Sequence, residues 1–144
     1  MTRGAFVAIL YRMEGLPSVG ESGFSDVESG LEYSGAVAWA AANNIVSGYG
    51  NGTFGPNDIL TREQMAMILY RYADYKGYDI SARADLSGYT DAGSISGDGL
   101  NAMRWANAKY LITGITADSL FPAGSATRAQ AATIIMRFCG EFGK

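Results

Sequence analysis

The sequence predicts an all-α fold built from tandem repeats, and three observations support this. A segment that begins with Thr-Arg occurs three times, at residues 2–13, 61–72 and 127–138. Each copy places residues of one apolar face 4, 7, 8 and 11 positions after the threonine, which is the spacing of an amphipathic helix packed on one side. No stretch of useful length alternates apolar and polar residues as a half-buried strand does. We therefore expect three related helices and no sheet.

The Thr-Arg helices share their apolar positions and, in two copies, a start signal. The apolar positions are Phe6, Ile9, Leu10 and Met13; Met65, Ile68, Leu69 and Tyr72; and Ala131, Ile134, Ile135 and Phe138. Thr61 with Gln64 and Thr127 with Gln130 form the Thr-x-x-Gln pattern of a capping box, so each threonine should be the N-cap and each arginine the first helical residue. The first copy has Ala5 in place of the glutamine and lacks the box.

A second type of helix precedes two of these copies. It is rich in alanine, carries a Trp-Ala pair and is predicted at residues 31–44 and 99–110. Each ends in a short apolar segment and a glycine, "IVSG" and "LITG", which is typical of a helix stop followed by a turn. Loops rich in Gly, Asn and Pro then lead to the next Thr-Arg helix.

The repeats define the organisation of the chain. A shift of 66 residues superimposes Trp39 on Trp105, Gly48 on Gly114 and Arg62 on Arg128. We therefore predict the second half of a first repeat plus a linker at residues 1–23, a second repeat at residues 24–88 and a third repeat at residues 89–144. The first repeat is incomplete.

Composition excludes several classes of function. The net charge is −3 and charged residues make up 17% of the chain, so we expect no binding to nucleic acid or to a membrane surface. The chain has no histidine and one cysteine, which removes the Ser-His-Asp and Cys-His triads, internal disulfides and the usual metal centres. No apolar run is long enough to cross a bilayer, and Met1 leads directly into amphipathic sequence, so this chain is expected to be a fragment.

Catalysis and metal binding are not expected. The carboxylates are scattered through links and helix caps, and the repeat pattern places no pair of them on facing elements for glycoside hydrolysis. The segment "SGDGLN" at residues 96–101 has one carboxylate, too few for calcium. We predict a protein that is not an enzyme and has no cofactor.

The motifs of the second repeat resemble those of the S-layer homology domain, a repeat of bacterial surface proteins. They are Phe-Ser-Asp-Val at residues 24–27, Trp-Ala at 39–40, and the nearly continuous match "GYGNGTFGPNDILTREQMA" at 48–66. The third repeat departs from the pattern in having "YTDA" at 89–92 and no Gly-Asn-Gly in its loop, and the first repeat has lost its opening motif and first helix. The resemblance covers nearly the whole chain.

This resemblance implies both an architecture and a function. Three such repeats usually form a pseudo-threefold helical spindle that holds secreted proteins on the bacterial cell surface, in the cell wall or S-layer. The ligand is secondary cell-wall polysaccharide, commonly containing pyruvylated N-acetylmannosamine, bound in grooves between repeats. By this resemblance the Thr-Arg arginines, Arg3, Arg62 and Arg128, are main ligand residues. The rival hypothesis is a structural or self-assembly module that binds protein partners and has lost glycan binding.

The electrostatics of a helix N-terminus are consistent with a ligand-binding role for these arginines. A cation at a helix N-terminus opposes the macrodipole by roughly 0.3–1 kcal/mol, so three such placements do not favour folding alone. Free N–H groups of the first turn and a guanidinium can instead share one carboxylate of a ligand. The alternative is a surface ion pair of each arginine with Asp58, Asp118 or Glu63.

Each of the other candidate residues has both a structural and a ligand-binding interpretation. Trp39 and Trp105 could be sugar platforms, although a repeated tryptophan in a helix is more often core. Tyr49, Asn51 and Gly52 form a loop suited to a sugar, but Asn-Gly also simply makes a turn. Two aspartates that recur in the opening motifs, Asp26 and Asp91, are expected to cap the structure that follows them, with ligand binding as the alternative.

The incomplete first repeat predicts a further property. The apolar residues of the first Thr-Arg helix have no preceding Trp-Ala helix to pack on, unlike those of the other two copies. We therefore expect an uncovered apolar face, and with it a homo-oligomer, a swapped helix or instability.

Overall fold

The structure is a computed structural model that describes residues 1–31 and 33–143. These residues form five α-helices and a short 3-10 turn, Ala92–Ser94. The helices are α1 (Arg3–Met13), α2 (Ser34–Ala42), α3 (Arg62–Tyr75), α4 (Leu100–Ala108) and α5 (Arg128–Phe142). No strand occurs in the described residues, where β-type pairing is limited to isolated bridges. The predicted all-α fold is confirmed, and α2 and α4 are shorter than expected.

The predicted helix starts are confirmed. Thr61 and Thr127 each cap a helix through the complete capping box with Gln64 and Gln130. In α1 the Thr2 side chain accepts a hydrogen bond from the Ala5 N–H, so the threonine still caps without the glutamine. Each Thr-Arg arginine is accordingly the first residue of its helix.

The chain forms two compact units, Met1–Leu60 and the residues from Thr61 onward. In the first unit α1 packs on α2, with the rings of Tyr11 and Trp39 5.7 Å apart. In the second unit α3 packs on α4, with Tyr70 edge-on to Trp105 at 5.5 Å. Each unit therefore begins with a Thr-Arg helix, which packs on the Trp helix of the following repeat.

This pairing overturns the expectation of an uncovered face on the first helix. Phe6 and Leu10 are fully buried, and of the four apolar residues of this face only Met13, near the end of α1, is exposed. The expectation was wrong because it paired the Thr-Arg helix with the Trp helix before it in sequence, whereas α1 uses the one after it. The first Thr-Arg helix is thus covered by α2.

In the second unit, α5 joins the others through an aromatic cluster. Phe138 and Phe142 of α5 pack with Tyr72 of α3 and with Tyr78, at centroid separations of 4.9 to 6.1 Å. Phe142 also stacks on Trp105 at 6.1 Å. Aromatic pairs in this range contribute beyond their buried area, so one face of α5 is firmly packed.

None of the helices in the described part of the chain is long and apolar enough to span a membrane.

Candidate functional site

Arg62, the first residue of α3, is buried with only 4% of its surface exposed. Its Nε donates to the carbonyl oxygen of Leu120 at 2.8 Å and its Nη2 to that of Thr113 at 2.7 Å. Burial lowers the pKa of Arg62, partly offset by the Asp91 carboxylate, but an arginine keeps its charge in such a setting. The guanidinium therefore joins the start of α3 to two points of the loop that follows α4.

The backbone at the start of α3 is engaged by the same loop. The N–H of Arg62 donates to the Gly124 carbonyl and that of Glu63 to the Pro122 carbonyl, both at 2.9 Å. The sequence led us to expect free first-turn N–H groups that would share a ligand carboxylate with the guanidinium. That expectation is wrong for α3, since the loop carbonyls already satisfy these donors.

Arg3 repeats the arrangement in the first unit. It is 7% exposed, and its Nε and Nη2 donate to the carbonyls of Phe54 at 3.0 Å and Ser47 at 3.4 Å. The Arg3 and Gly4 N–H groups donate to the carbonyls of Asp58 and Pro56. Free first-turn N–H groups are therefore not found in α1 either. We call these two arrangements the arginine pockets.

One terminal nitrogen of each buried guanidinium remains uncommitted. Nη1 of Arg3 and Nη1 of Arg62 have no hydrogen-bond acceptor within residues 1–31 and 33–143. Arg62 also lines an open groove. Two nitrogens of each arginine thus hold the fold, and the third has no acceptor among the described residues.

The alternative hypothesis, a surface ion pair of each arginine with Asp58, Asp118 or Glu63, is not met among the described residues, where these carboxylates make other contacts. The Glu63 carboxylate accepts the Ser96 N–H at 2.6 Å. Asp58 accepts the Tyr49 hydroxyl at 2.6 Å and Asp118 the Thr116 hydroxyl at 2.9 Å. Carbonyl dipoles, rather than these carboxylates, hold the guanidinium groups.

The two motif aspartates shape the arginine pockets. Asp91 accepts the N–H groups of Leu120 and Phe121 at 2.9 and 2.8 Å. Asp26 does the same for Phe54 and Gly55 at 2.9 and 2.8 Å. Each aspartate therefore fixes the peptide whose carbonyl receives the arginine Nε. The sequence predicted a local cap at both residues, and their recurrence in the opening motifs of the second and third repeats was the signal of this longer-range role.

The hydrogen bonds also shift the pKa of both aspartates below the usual value. For Asp91 the main cause is the Leu120 N–H, with Phe121 and Arg62 adding to it. For Asp26 desolvation raises the pKa, but the N–H donors of Phe54 and Gly55 outweigh it. Each of these carboxyl groups has a lower pKa in the folded protein than the value of about 3.9 in the unfolded chain. Each carboxylate therefore stabilises the fold at pH values above the unfolded pKa, and this stabilisation is lost as the pH falls through the folded-state pKa.

Replacing Asp91 with asparagine should make the free energy of unfolding less dependent on pH under acidic conditions. The amide has one acceptor oxygen for two N–H donors, so the mutant should be less stable than wild type at pH 6. Because the amide does not titrate, the mutant should also lose less stability between pH 6 and pH 2. Urea unfolding across this range measures both effects. Asp98→Asn, an exposed acid in the same unit, is the matched control. Parallel curves for wild type and Asp91→Asn would contradict the prediction.

The loop after α2 adds an aromatic group to the first arginine pocket. The Tyr49 ring lies over the Arg3 guanidinium at 4.9 Å, and Tyr49 is about half exposed. The Asn51 side chain accepts hydrogen bonds from the Thr53 N–H and hydroxyl, and Gly52 has a positive φ of 85°. Asn51 and Gly52 thus build the turn, while Tyr49 contacts the arginine.

The two tryptophans lie in the core. Trp39 is 2% exposed and Trp105 is fully buried. Both pack on tyrosines of the neighbouring Thr-Arg helix. Neither ring is exposed at the protein surface, which agrees with the interpretation of both tryptophans as core residues.

The second unit contains a groove of about 270 Å³. One side is the segment from Leu111 to Ile115 with Arg62, and the other is α5, which contributes Ala129, Gln130, Thr133, Ile134 and Arg137. Arg137 is exposed and its Nη1 donates to the Leu111 carbonyl at 3.4 Å. The groove therefore combines two cations with amide, hydroxyl and small-residue surface. Arg137 was not among the residues predicted for the site; the signal that could have found it is that Arg12, Arg71 and Arg137 each stand ten positions after the threonine of a Thr-Arg pair.

Arg128 differs from the other two Thr-Arg arginines. It is exposed at the start of α5 and is absent from the lining of the groove. The structure thus brings Arg62 together with Arg137, and Arg3 with Tyr49, but leaves Arg128 apart. Within the described residues, no cluster of three His, Cys, Asp or Glu side chains could hold a metal ion.

Helices arranged in tandem, with the first two Thr-Arg helices, α1 and α3, each docked on the Trp helix and loop of the following repeat, define a helical repeat module. The family model of the S-layer homology domain matches residues 23–66 and 88–132. The chain belongs to this family.

Several curated proteins are similar to the chain over part of their length. It is 35% identical over 140 residues to an amylopullulanase of Thermoanaerobacterium thermosulfurigenes and 34% identical over 140 residues to an exoglucanase of Acetivibrio thermocellus. Each alignment covers 94% of this chain, but 7% and 12% of those proteins. It is 29% identical over 125 residues to a surface-layer 125 kDa protein of Lysinibacillus sphaericus, covering 85% of this chain and 10% of that protein. The match therefore concerns a module within much longer proteins.

Proposed function

We propose that this module anchors a secreted protein to the bacterial cell surface by non-covalent binding of acidic cell-wall polysaccharide, without catalysing a reaction. The similarity to a surface-layer protein and to small parts of two large enzymes supports an anchoring role. The proposed ligand is the pyruvylated N-acetylmannosamine type, which the family resemblance suggests.

One observation carries the proposal: a buried arginine with an uncommitted nitrogen lines an open groove. Arg62 is preorganised by two carbonyls, so binding through Nη1 would not require ordering a long side chain. Arg137 on the opposite wall supplies a second cation, and two guanidinium groups suit a carboxylate better than a neutral sugar. The pyruvyl ketal supplies such a carboxylate.

The first arginine pocket offers a related but different surface. The half-exposed Tyr49 lies on the Arg3 guanidinium, and an aromatic face next to a cation suits a sugar ring that bears a carboxylate. Its counterpart by the repeat shift is Ile115, which has no such ring. We propose that both pockets bind glycan and that Tyr49 gives the first one a stacking contact.

Arg137→Gln should weaken binding of the pyruvylated glycan about fivefold to tenfold, because roughly 1–1.4 kcal/mol of charge-assisted bonding is lost. The protein should remain folded, since Arg137 is exposed. The measurement is calorimetric titration with the pyruvylated glycan and its depyruvylated form. The mutant should discriminate less between the two forms than wild type does.

Arg128→Gln is the matched control for this test. It removes the same charge from an exposed position on the same helix, outside the groove, so affinity should change little. Equal losses in both mutants would contradict the groove assignment. If wild type bound the pyruvylated and depyruvylated glycans with equal affinity, the rival hypothesis of an assembly module would be favoured. Sedimentation of the protein without glycan would then test that hypothesis.

A further inference from the structure

The loops that follow α2 and α4 share one backbone conformation at the arginine pockets. Gly55 and its counterpart under the 66-residue shift, Phe121, both have positive φ, 73° and 50°. Their N–H groups donate to Asp26 and Asp91, each at 2.8 Å. Their carbonyl oxygens accept from the N–H three positions further on, at 3.1 and 3.0 Å. The two loops therefore direct the Cα–Cβ bonds of equivalent positions alike.

In the first unit that direction leads to the Tyr49 ring. A Cβ atom on Gly55 would lie 2.5 Å from the Tyr49 hydroxyl oxygen and 2.6 Å from its Cε2. In the second unit the counterpart of Tyr49 is Ile115, which has no ring. The space that the tyrosine ring fills in the first unit is therefore left for the side chain of Phe121 in the second.

Phe121 also lies next to the Arg62 side chain. A Cβ atom on Gly124 would lie 3.2 Å from the Cβ of Phe121 and 3.9 Å from the Cδ of Arg62, so both side chains border the same small gap. The counterpart of Gly124 in the first unit is Asp58, whose carboxylate would block a side chain on Gly55. The second unit thus has one phenylalanine beside its arginine where the first has a tyrosine and an aspartate.

A glycine would serve the fold better than Phe121 does. Positive φ is sterically unfavourable for a residue with a Cβ atom, whereas glycine adopts it without that cost. Phe121 is 48% exposed, so burial of its ring offsets only part of the strain. Strained residues cluster at ligand sites, and the strain at Phe121 points to a role for its ring outside the fold.

We propose that Phe121 gives the second arginine pocket the aromatic face on which a sugar ring of the acidic glycan stacks. Tyr49, which lies over the Arg3 guanidinium, has the same exposed fraction of 48%. An aromatic face covers the apolar side of a sugar ring, while the neighbouring guanidinium bonds to its carboxylate. This inference rests on the proposed function and adds a specificity-determining residue to it.

The test is calorimetric titration with the pyruvylated glycan in a Tyr49→Ala background, where the ring of the first pocket does not mask the second. Phe121→Gly and Phe121→Leu should each weaken binding about threefold to tenfold, the loss expected for one aromatic contact. Phe121→Tyr keeps the ring and should bind within about twofold of the background. Phe121→Gly should not lower the melting temperature, because it relieves the strain of the positive φ.

Tyr110→Gly is the matched control. Tyr110 is another exposed aromatic residue of the second unit with positive φ, 58°. It directly follows the last turn of α4 and bonds back to Asn107, whereas Phe121 belongs to the loop segment that Asp91 holds. The control therefore removes an exposed ring and relieves the same kind of strain, and the affinity for the glycan should not change.

Three results would overturn the assignment of Phe121 and leave the proposed function standing. The first is equal affinity of Phe121→Gly and the background protein. The second is full affinity in Phe121→Leu, which would mean that apolar bulk suffices without a ring. The third is an equal loss in Phe121→Gly and Tyr110→Gly. Failure of wild type to bind the pyruvylated glycan would instead overturn the proposed function, and this inference with it.

Discussion

Arg62→Ala should lower the free energy of unfolding by about 2–4 kcal/mol. The mutation removes two hydrogen bonds from a charged donor and leaves the carbonyls of Leu120 and Thr113 without it, and each buried group left unsatisfied costs roughly 1–3 kcal/mol. Glycan binding should weaken as well, because the uncommitted nitrogen is lost. Urea unfolding followed by circular dichroism measures the first effect, and titration at a temperature where the mutant is folded measures the second.

Arg128→Ala is the matched control, since it removes the same side chain from the same position of a homologous helix where it is exposed. Its free energy of unfolding should change by no more than about 0.5 kcal/mol. Arg62→Lys should show an intermediate loss, because an ammonium cannot reproduce the planar geometry that reaches two carbonyls. Equal stability of wild type and Arg62→Ala would mean that the loop is held without the arginine.

Gly114→Ala should destabilise the second unit by about 3 kcal/mol. A Cβ atom at this position would lie 2.2 Å from the Thr116 carbonyl oxygen and 2.9 Å from Cε1 of Tyr89. Relief requires a backbone shift in the loop that supplies carbonyls to Arg62, and overpacking of this kind typically costs 1–3 kcal/mol or more. Thermal unfolding measures the loss.

Gly97→Ala provides the control for Gly114→Ala. It lies in the same unit, and a Cβ atom there meets nothing within 4 Å, so stability should change by no more than about 0.5 kcal/mol. In the first unit, Gly48→Ala should behave like Gly114→Ala, because its Cβ would lie 2.5 Å from the Phe24 ring and 2.6 Å from the Thr53 carbonyl oxygen. Similar melting temperatures for Gly114→Ala and Gly97→Ala would show that the loop adapts without cost.

Local chemistry made the helices predictable from sequence. The spacing of Met65, Ile68 and Leu69 fixes one buried face, and Thr61 with Gln64 fixes where that helix begins. Both are properties of residues within three or four positions of one another, where backbone geometry decides which side chains meet. The predicted capping boxes and apolar faces were therefore confirmed.

Long-range pairing was not predictable in the same way. No local pattern shows that Arg62 reaches Leu120, 58 residues away, or that α1 packs on the helix that follows it. A repeated Thr-Arg pattern is equally consistent with an arginine that binds a ligand and with one that bonds to the protein's own backbone, because both require a guanidinium near acceptors. Glycan contact by Arg3, Arg62 and Arg128 stays a prediction, as do the boundaries of the three sequence repeats.

The dependence of each arginine on the following repeat gives the chain a direction. Arg3 and Arg62 each join their helix to the loop of the repeat that follows, whereas Arg128 makes no such junction among the described residues. Cutting the chain between α3 and α4, at a boundary that sequence similarity suggests, would separate Arg62 from its acceptors. A cut between Leu60 and Thr61 would leave each arginine pocket whole, so recombination or engineering of modules should respect that junction.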